Sequence, residues 1–197
     1  MLFRSSELAD EFGLKEGAAF VAGDGLNKPK GFLTYATSTA GDATRPFGTL
    51  QAVATGANGG FPSSDPADIL VDLVYSLRPA YRAGAVFVMN TNLVAEIRKF
   101  KDADNNYLWR PGLSDGAPAS LLGYPVVEAE DMPDKATGSL SVAFGNFGKG
   151  YIVTDRLGTR VLRDPFSNKP FVHFYTTKRV GGGLMNSEAI KLLKFSA

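Results

Sequence analysis

Leu70, Leu73, Val74 and Leu77 recur at i, i+3, i+4 and i+7, the spacing that lines one face of a helix. Asp65 and Pro66 precede them as cap and first helical residue, Pro79 interrupts the pattern, and Gly84 ends the segment. Ala85 to Met89 is then a short, unbroken apolar run of the kind found in buried strands. Asn90 or Thr91 caps a second helix reaching Phe100, with Leu93, Val94 and Ile97 inward. These residues predict a helix, strand, helix layer. Upstream, Ser5 to Val21 reads as a helix with Leu8, Phe12 and Ala19 on one face and Leu14, Ala18 and Val21 on another; acidic residues crowd its first turns, where they favour the helix dipole. Gly13 and Gly17 share a side, and since each costs about 1 kcal/mol against alanine, they predict a neighbouring backbone packed close. No cap precedes this pattern, so Met1 is not expected to be the natural beginning of the element.

Between these segments the chain is punctuated. Ala22 to Gly31 is a Gly/Pro/Asn turn cluster leading into Phe32 to Tyr35, and Ala36 to Gly60, rich in Ser, Thr, Ala and Gly, predicts a loop or weak strands on the surface. Lys101 to Asn106 predicts a polar turn, Tyr107 to Trp109 a short strand with Trp109 in packing, Ala117 to Leu122 a helical turn stopped by Gly123, and Tyr124 to Glu128 a strand. Leu140 to Phe144 leads through Gly145 to Gly150 into the longest predicted feature. There, Tyr151 to Arg163 and Phe171 to Val180, both of β composition, flank the turn cluster Asp164 to Pro170. Pairing symmetric about Ser167 sets Leu162 opposite Val172, Val161 opposite His173 and Asp155 opposite Arg179. Arms of ten or more residues, against a usual length of about 5 to 6, extend roughly 33 Å, beyond the limits of one domain. Gly181 to Gly183 predicts a flexible turn, and Leu184 to Phe195 a closing strand or short helix.

Charge sharpens the hairpin. Arg156, Arg160, Arg163, Lys169, Lys178 and Arg179 against Asp155 and Asp164 leave it at +4, while the whole chain is +1, so the remainder carries −3. Such polarity suits complementary contact between copies of one protein better than diffuse attraction to a polyanion.

Composition excludes much chemistry. At 197 residues and 44% hydrophobic content the chain can bury a real core as one domain, or as two small ones sharing strands. Without cysteine there is no disulfide, thiol nucleophile or thiolate ligand, which fits a reducing interior; one histidine, His173, removes most metal sites and most histidine-dependent catalysis. The longest apolar runs fall far short of the roughly 20 residues of a membrane span and no signal segment opens the chain, which predicts a soluble intracellular product. The glycines at 23, 25 and 31 match neither GxGxxG nor GxxxxGK[ST]. A calcium loop from Lys101 fails, with Tyr107 and Leu113 where glycine and glutamate are needed. Glu128, Glu130, Asp131 and Asp134 read as a solvated strand end, and His173 as a packed or surface residue. No enzyme, cofactor or metal is expected.

The order of segments resembles the major capsid protein family of tailed bacteriophages, the Hong Kong 97 type. The resembling pieces are EGAAFVAGDGLNKPKGFLTY at Glu16 to Tyr35, FVMNTNLVAEIRKFKDADNNYLW at Phe87 to Trp109, LLGYPVVEAEDMP at Leu121 to Pro133, FGNFGKGYIVTDRLGTRVLRDP at Phe144 to Pro165 and RVGGGLMNSEAIKLLKF at Arg179 to Phe195. Five pieces in the right order make the match specific. The resemblance implies an α+β Hong Kong 97-like fold. Residues 1–66 and 151–180 would be the peripheral domain, with the late part of the spine helix, a Gly-rich loop and the long hairpin; residues 67–150 with 181–197 would be the mixed α/β axial domain. Nothing matches the family's N-terminal arm, extended loop or first part of the spine helix, so the resemblance covers the C-terminal portion of a full subunit. The asparagine and glutamate that some members use for an isopeptide crosslink would fall near Pro170 and Thr177, so no crosslink is expected.

The function implied is a structural subunit of an icosahedral phage or prophage capsid, self-assembling into pentamers and hexamers that enclose DNA. It would be assembled in the host bacterial cytoplasm, reside in the virion capsid, and meet scaffold and portal; no membrane is involved. Subunit contacts are expected at Arg156, Arg160, Arg163, Phe166, Asn168, Lys169, Lys178 and Arg179. The rival readings are the shell of a cellular nanocompartment and a nucleic-acid-binding module using the basic hairpin.

Overall fold

The computed structural model describes residues 5–101, 107, 109 and 120–196. It begins with α1 (Ser5–Ala22). Leu8, Phe12, Glu16, Ala19 and Phe20 form a half-buried stripe; of the second expected face Val21 is buried, while Ala18 is exposed and Leu14 is 66% exposed. The backbone contact expected at its glycines is absent: a Cβ on Gly13 would meet nothing within 4 Å, and one on Gly17 would meet the Asp131 carboxylate at 2.7 Å.

A 3-10 turn (Phe32–Thr34) follows, then β1 (Thr37–Ser38), β2 (Leu50–Asn58), α2 (Asp68–Ser76), α3 (Pro79–Arg82), β3 (Val86–Met89) and α4 (Thr91–Ile97). After them come β4 (Ser120–Leu121), β5 (Tyr124–Glu128), β6 (Leu140–Gly145), α5 (Phe147–Gly150), β7 (Tyr151–Asp164), β8 (His173–Leu184) and β9 (Ile190–Ser196). Among the described residues the strands form two sheets, one of seven strands in the order β1-β2-β9-β6-β3-β5-β4, the other β7 with β8 alone.

The large sheet is mixed. β9 runs parallel to β2 and antiparallel to β6, and β3 runs antiparallel to β6 and parallel to β5. β9 is covered on both faces, so its buried residues do not alternate: Ile190, Leu192, Leu193 and Phe195 are all fully buried. Successive side chains still divide between the faces. Phe144 and Leu193 pack with Phe87, α2 and α4, while Ala143 and Leu192 pack with Leu50, Met132, Phe32 and Val21 at the end of α1. Two cores therefore share one sheet.

Several boundaries move. α2 starts at Asp68 without a side-chain cap, because Asp65 takes a left-handed φ of 47° and its carbonyl accepts from Asp68 N in a turn. Asn90 caps α4 as expected, accepting from Asn92 N at 2.9 Å, and the helix stops at Ile97, three residues short of Phe100. Leu50–Asn58, expected at the surface, lies inside the sheet with Leu50 and Ala52 buried. Its alanines and Gly56 carry little strand propensity, and its extended form rests on pairing with β9. Ser120 and Leu121 form a strand rather than a helical turn, joined to β5 through Leu122 and Gly123 at φ of 52° and 83°, the paired positive values of a two-residue hairpin. Gly181–Gly183 are strand residues of β8, not a turn. The tail is a strand, as one of its two expected forms. Trp109 is buried with the α2 and α4 core, and the Arg98 guanidinium lies 5.0 Å over its ring. The expected polar turn at 102–106, Leu108 and residues 117–119 lie outside the described residues.

Candidate functional site

β7 and β8 make the hairpin that the sequence predicts, longer than expected, with 14 and 12 residues. At about 3.3 Å per residue β7 extends roughly 45 Å. The register differs from the symmetric one: Asp164 faces His173, Leu162 faces Tyr175 and Val161 faces Thr176. Asp155 faces Val180, and Leu157 faces Arg179, so the expected Asp155–Arg179 pair does not form. Two causes combine. The turn is centred beyond Ser167: the Asp164 carboxylate accepts from Phe166 N at 2.9 Å, Ser167 N at 3.2 Å and the Ser167 hydroxyl, and Phe171 N donates to Asn168 O at 2.8 Å. Bulges between Asp155 and Leu157 and between Leu157 and Arg160 then each place one extra residue in β7. The Ser167 hydroxyl and Phe166 amide hold the Asp164 carboxyl below its ordinary value, so this tip stays ionised and tied at neutral pH.

The base of the ribbon is fastened to the body by aromatic hydroxyls. Tyr151 Oη donates to Lys30 O at 2.9 Å, Leu184 N donates to Tyr35 Oη at 3.0 Å, and Lys30 N donates to Gly182 O at 3.1 Å. Burial, with Tyr35 beside it, pushes the Tyr151 hydroxyl up to about 12, so it remains a donor under ordinary conditions. Gly182 lets these contacts form, because a Cβ would meet Tyr151 Oη at 2.6 Å and Phe20 Cδ1 at 3.1 Å and would have to displace them. One further tie reaches α1, where Lys178 Nζ lies 2.6 Å from Glu16 Oε1; that contact raises the ammonium pKa.

Above the base the ribbon is bare. Leu162 is 65% exposed, Phe166 80% and Phe171 66%. The expected contact residues separate into two groups. Arg156, Lys178 and Arg179 line a groove of about 890 Å³ between α1 and the ribbon base, and Arg160 joins Lys178 and Arg179 in a hollow of about 290 Å³ on the ribbon itself. Arg163, Phe166, Asn168 and Lys169 lie apart from these at the exposed tip. Sequence reasoning missed Lys15 and Lys28, which complete the groove from α1 and the Gly-rich loop. His173 stacks on Tyr175 at 6.1 Å, and its Nε2 is buried without a hydrogen-bond partner.

A buried charge cluster was also missed. Asp42 accepts from Arg45 Nη2 at 2.6 Å and from Lys191 Nζ, and lies 3.5 Å from Arg78 Nε; Lys191, fully buried, also donates to Gln51 Oε1 at 2.8 Å. Burial acts to raise the Asp42 carboxyl, but Lys191 and Arg45 outweigh it and hold it below its ordinary value. Burial of Lys191, with Arg45 sharing its one close carboxylate, lowers the ammonium. The only sequence trace of this cluster is a lysine inside the apolar run Ile190 to Leu193. It ties the 36–49 segment to β9.

The phage capsid family model matches residues 5–195. The chain belongs to the phage capsid family. As a member, it is 51% identical over 98% of its length to the capsid of an empty GTA particle computed with C5 symmetry, with a TM-score of 0.89, and covers 65% of that chain. The native GTA particle capsid matches equally, at 51% identity and a TM-score of 0.89 over 64% of its chain. The chain thus spans a little under two thirds of these relatives. A structure from Gordonia phage Cozz shares the fold at 17% identity and a TM-score of 0.57, with 98% of this chain and 62% of that one aligned. No curated protein matches the sequence. Family and fold agree with the resemblance read from the five segments, and the Hong Kong 97-like architecture accounts for a long ribbon standing off a mixed sheet.

Proposed function

We propose that this chain is a structural subunit of the capsid of a phage or phage-like particle and that it works by self-association rather than by catalysis. The observation that carries this reading is the ribbon: a two-stranded sheet is marginal by itself, and this one turns Leu162, Phe166 and Phe171 to water along an arm longer than its own attachment. The identity to the GTA capsid, which extends over nearly the whole chain, supports the same role. α1, the Gly-rich loop and the ribbon, within 1–66 and 151–180, serve as the peripheral domain; residues 67–150 and 181–197 are the axial domain, and β2 from the first part joins the axial sheet. Arg156, Arg160, Arg163, Phe166, Asn168, Lys169, Lys178 and Arg179 meet neighbouring copies in pentamers and hexamers. Particles of this kind assemble in a bacterial cytoplasm with scaffold, portal and DNA as the partners of the whole protein.

The test is assembly. Electron micrographs of the purified protein should show closed or curved particles, and reversing Arg156 and Arg160 to glutamate should abolish them while the circular dichroism spectrum is unchanged. Normal particles from the reversed variant would remove these arginines from the interface.

A further inference from the structure

The groove between α1 and the ribbon base carries more positive charge than the molecule neutralises. Its helix side presents Phe12, Lys15 and Ala19, and its ribbon side Arg156, Arg179 and Gly181. Lys28 is held by Asp24 at 3.3 Å and Lys178 by Glu16, but Lys15, Arg156 and Arg179 are exposed and have no ion-pair partner among the described residues. Three free cations around an open hollow of about 890 Å³ with apolar floor atoms form a receptor for a protruding acidic segment.

The chain itself has such a segment. The end of β5 and the turn after it carry Glu128, Glu130, Asp131 and Asp134, all exposed and, among the described residues, all without an ion pair. Among the described residues these carboxylates accept from neutral groups only, Thr91 Oγ1 and Asn92 Nδ2, which do not cancel their charge. This turn touches α1 at Gly17, where Asp131 Oδ2 would lie 2.7 Å from an added Cβ. At 3.6 residues per turn Gly17 points about 140–160° away from Phe12, Lys15 and Ala19. The acidic turn and the basic groove therefore flank opposite sides of one helix, and the turn cannot fill the groove of its own chain.

We propose that the groove of one copy receives the Glu128–Asp134 turn of the next. The contact joins unlike surfaces and is heterologous, so every copy offers one donor and one receptor and successive copies run head to tail; where the rotation closes, the product is a ring. The inference rests on the capsid reading and names the surfaces that would join adjacent subunits within one ring. Because the pairing groups are solvent-exposed charges, it weakens as salt shortens the electrostatic range to about 8 Å and below.

The chain has no cysteine, which permits a clean trap. Arg156→Cys and Asp131→Cys variants are each oxidised alone and then as a mixture. The mixture should yield the 156–131 dimer as the dominant crosslink, each variant alone should yield little, and the chain carrying both changes should give a ladder of multimers that shrinks several-fold as salt is raised. Dimers through 156–156 or 131–131, or no crosslink at all, would overturn the contact. Micrographs of the same samples separate the two levels: particles without the 156–131 crosslink remove this contact and leave the capsid reading standing, whereas monomers alone remove both. If DNA titrated into the parent chain occupies the groove and prevents the crosslink without particles forming, the receptor is for polyphosphate, and the proposal is also overturned.

Discussion

The seven-stranded sheet and the two-stranded ribbon are both made of valine, leucine and aromatic residues, yet they put them in opposite places. Phe144 and Leu193 in the sheet are fully buried, while Leu162 and Phe166 in the ribbon are 65% and 80% exposed. Apolar carbon removed from water is worth roughly 25 cal/mol per Å², so the sheet stabilises itself and the ribbon does not. The ribbon's hydrophobic stabilisation can be realised only against another surface. On the proposed reading, fold stability and assembly belong to different parts of the chain, and substitutions should separate them.

The largest effect belongs to the sheet. Phe144 meets Phe87 at 4.5 Å and Tyr124 at 5.0 Å between ring centroids, in the centre of the α2/α4 core. Phe144→Ala should cost about 3–5 kcal/mol in urea or thermal unfolding of the monomer. A change below about 1 kcal/mol would mean that the site collapses around the missing ring and that the core is less tightly packed than these distances indicate.

The charge cluster comes next. Asp42→Asn removes the carboxylate that ion-pairs with buried Lys191 and Arg45, and removing one partner of a buried pair costs about 3 kcal/mol or more. The sign with pH follows from the depressed carboxyl: its contribution is complete above the unfolded value of about 3.9 and is lost as pH falls through the lower folded value. The parent chain should therefore lose stability below about pH 4 by a component that Asp42→Asn lacks. Parallel acid-unfolding curves for the two proteins would show that Asp42 does not govern this window.

What could be read from the sequence follows the same division. The i, i+3, i+4, i+7 pattern of Leu70 to Leu77, the apolar run to Met89 and the Asn90 cap each signal their structure within a dozen residues, and the hairpin announces itself by length. β2 does not, because beyond Gln51 it is extended through its partner β9, more than a hundred residues away. The ribbon register slips for a related reason: bulges beside Arg156 and Gly158 and the carboxylate-tied turn at Asp164 are set by backbone geometry that symmetric pairing ignores. The Gly181–Gly183 run reads locally as a turn, whereas the tight contact at Gly182, with the Tyr151 and Phe20 rings, comes from distant segments. Of the expected contact residues, only Arg156, Arg160, Lys178 and Arg179 are gathered around the base hollows; Lys15 joins them through tertiary packing of α1, which no local pattern encodes.

The smallest effect on folding should be the most informative about assembly. Phe166 sits in the ribbon turn, 80% exposed, where its backbone amide rather than its ring makes the structural contact, donating to Asp164 Oδ1 at 2.9 Å. Phe166→Ser keeps that amide and should shift monomer stability by no more than about 0.5 kcal/mol, as at an ordinary surface site. A ring this exposed on its own chain can still fill a pocket on a neighbour, where aromatic anchors carry a disproportionate share of the binding energy. Sedimentation of the variant should therefore show weakened association at a concentration where the parent assembles, with superimposable unfolding curves. If association is unchanged as well, the tip is a solvated turn, and the neighbour must be held by the groove and the middle of the ribbon, where the remaining arginines lie.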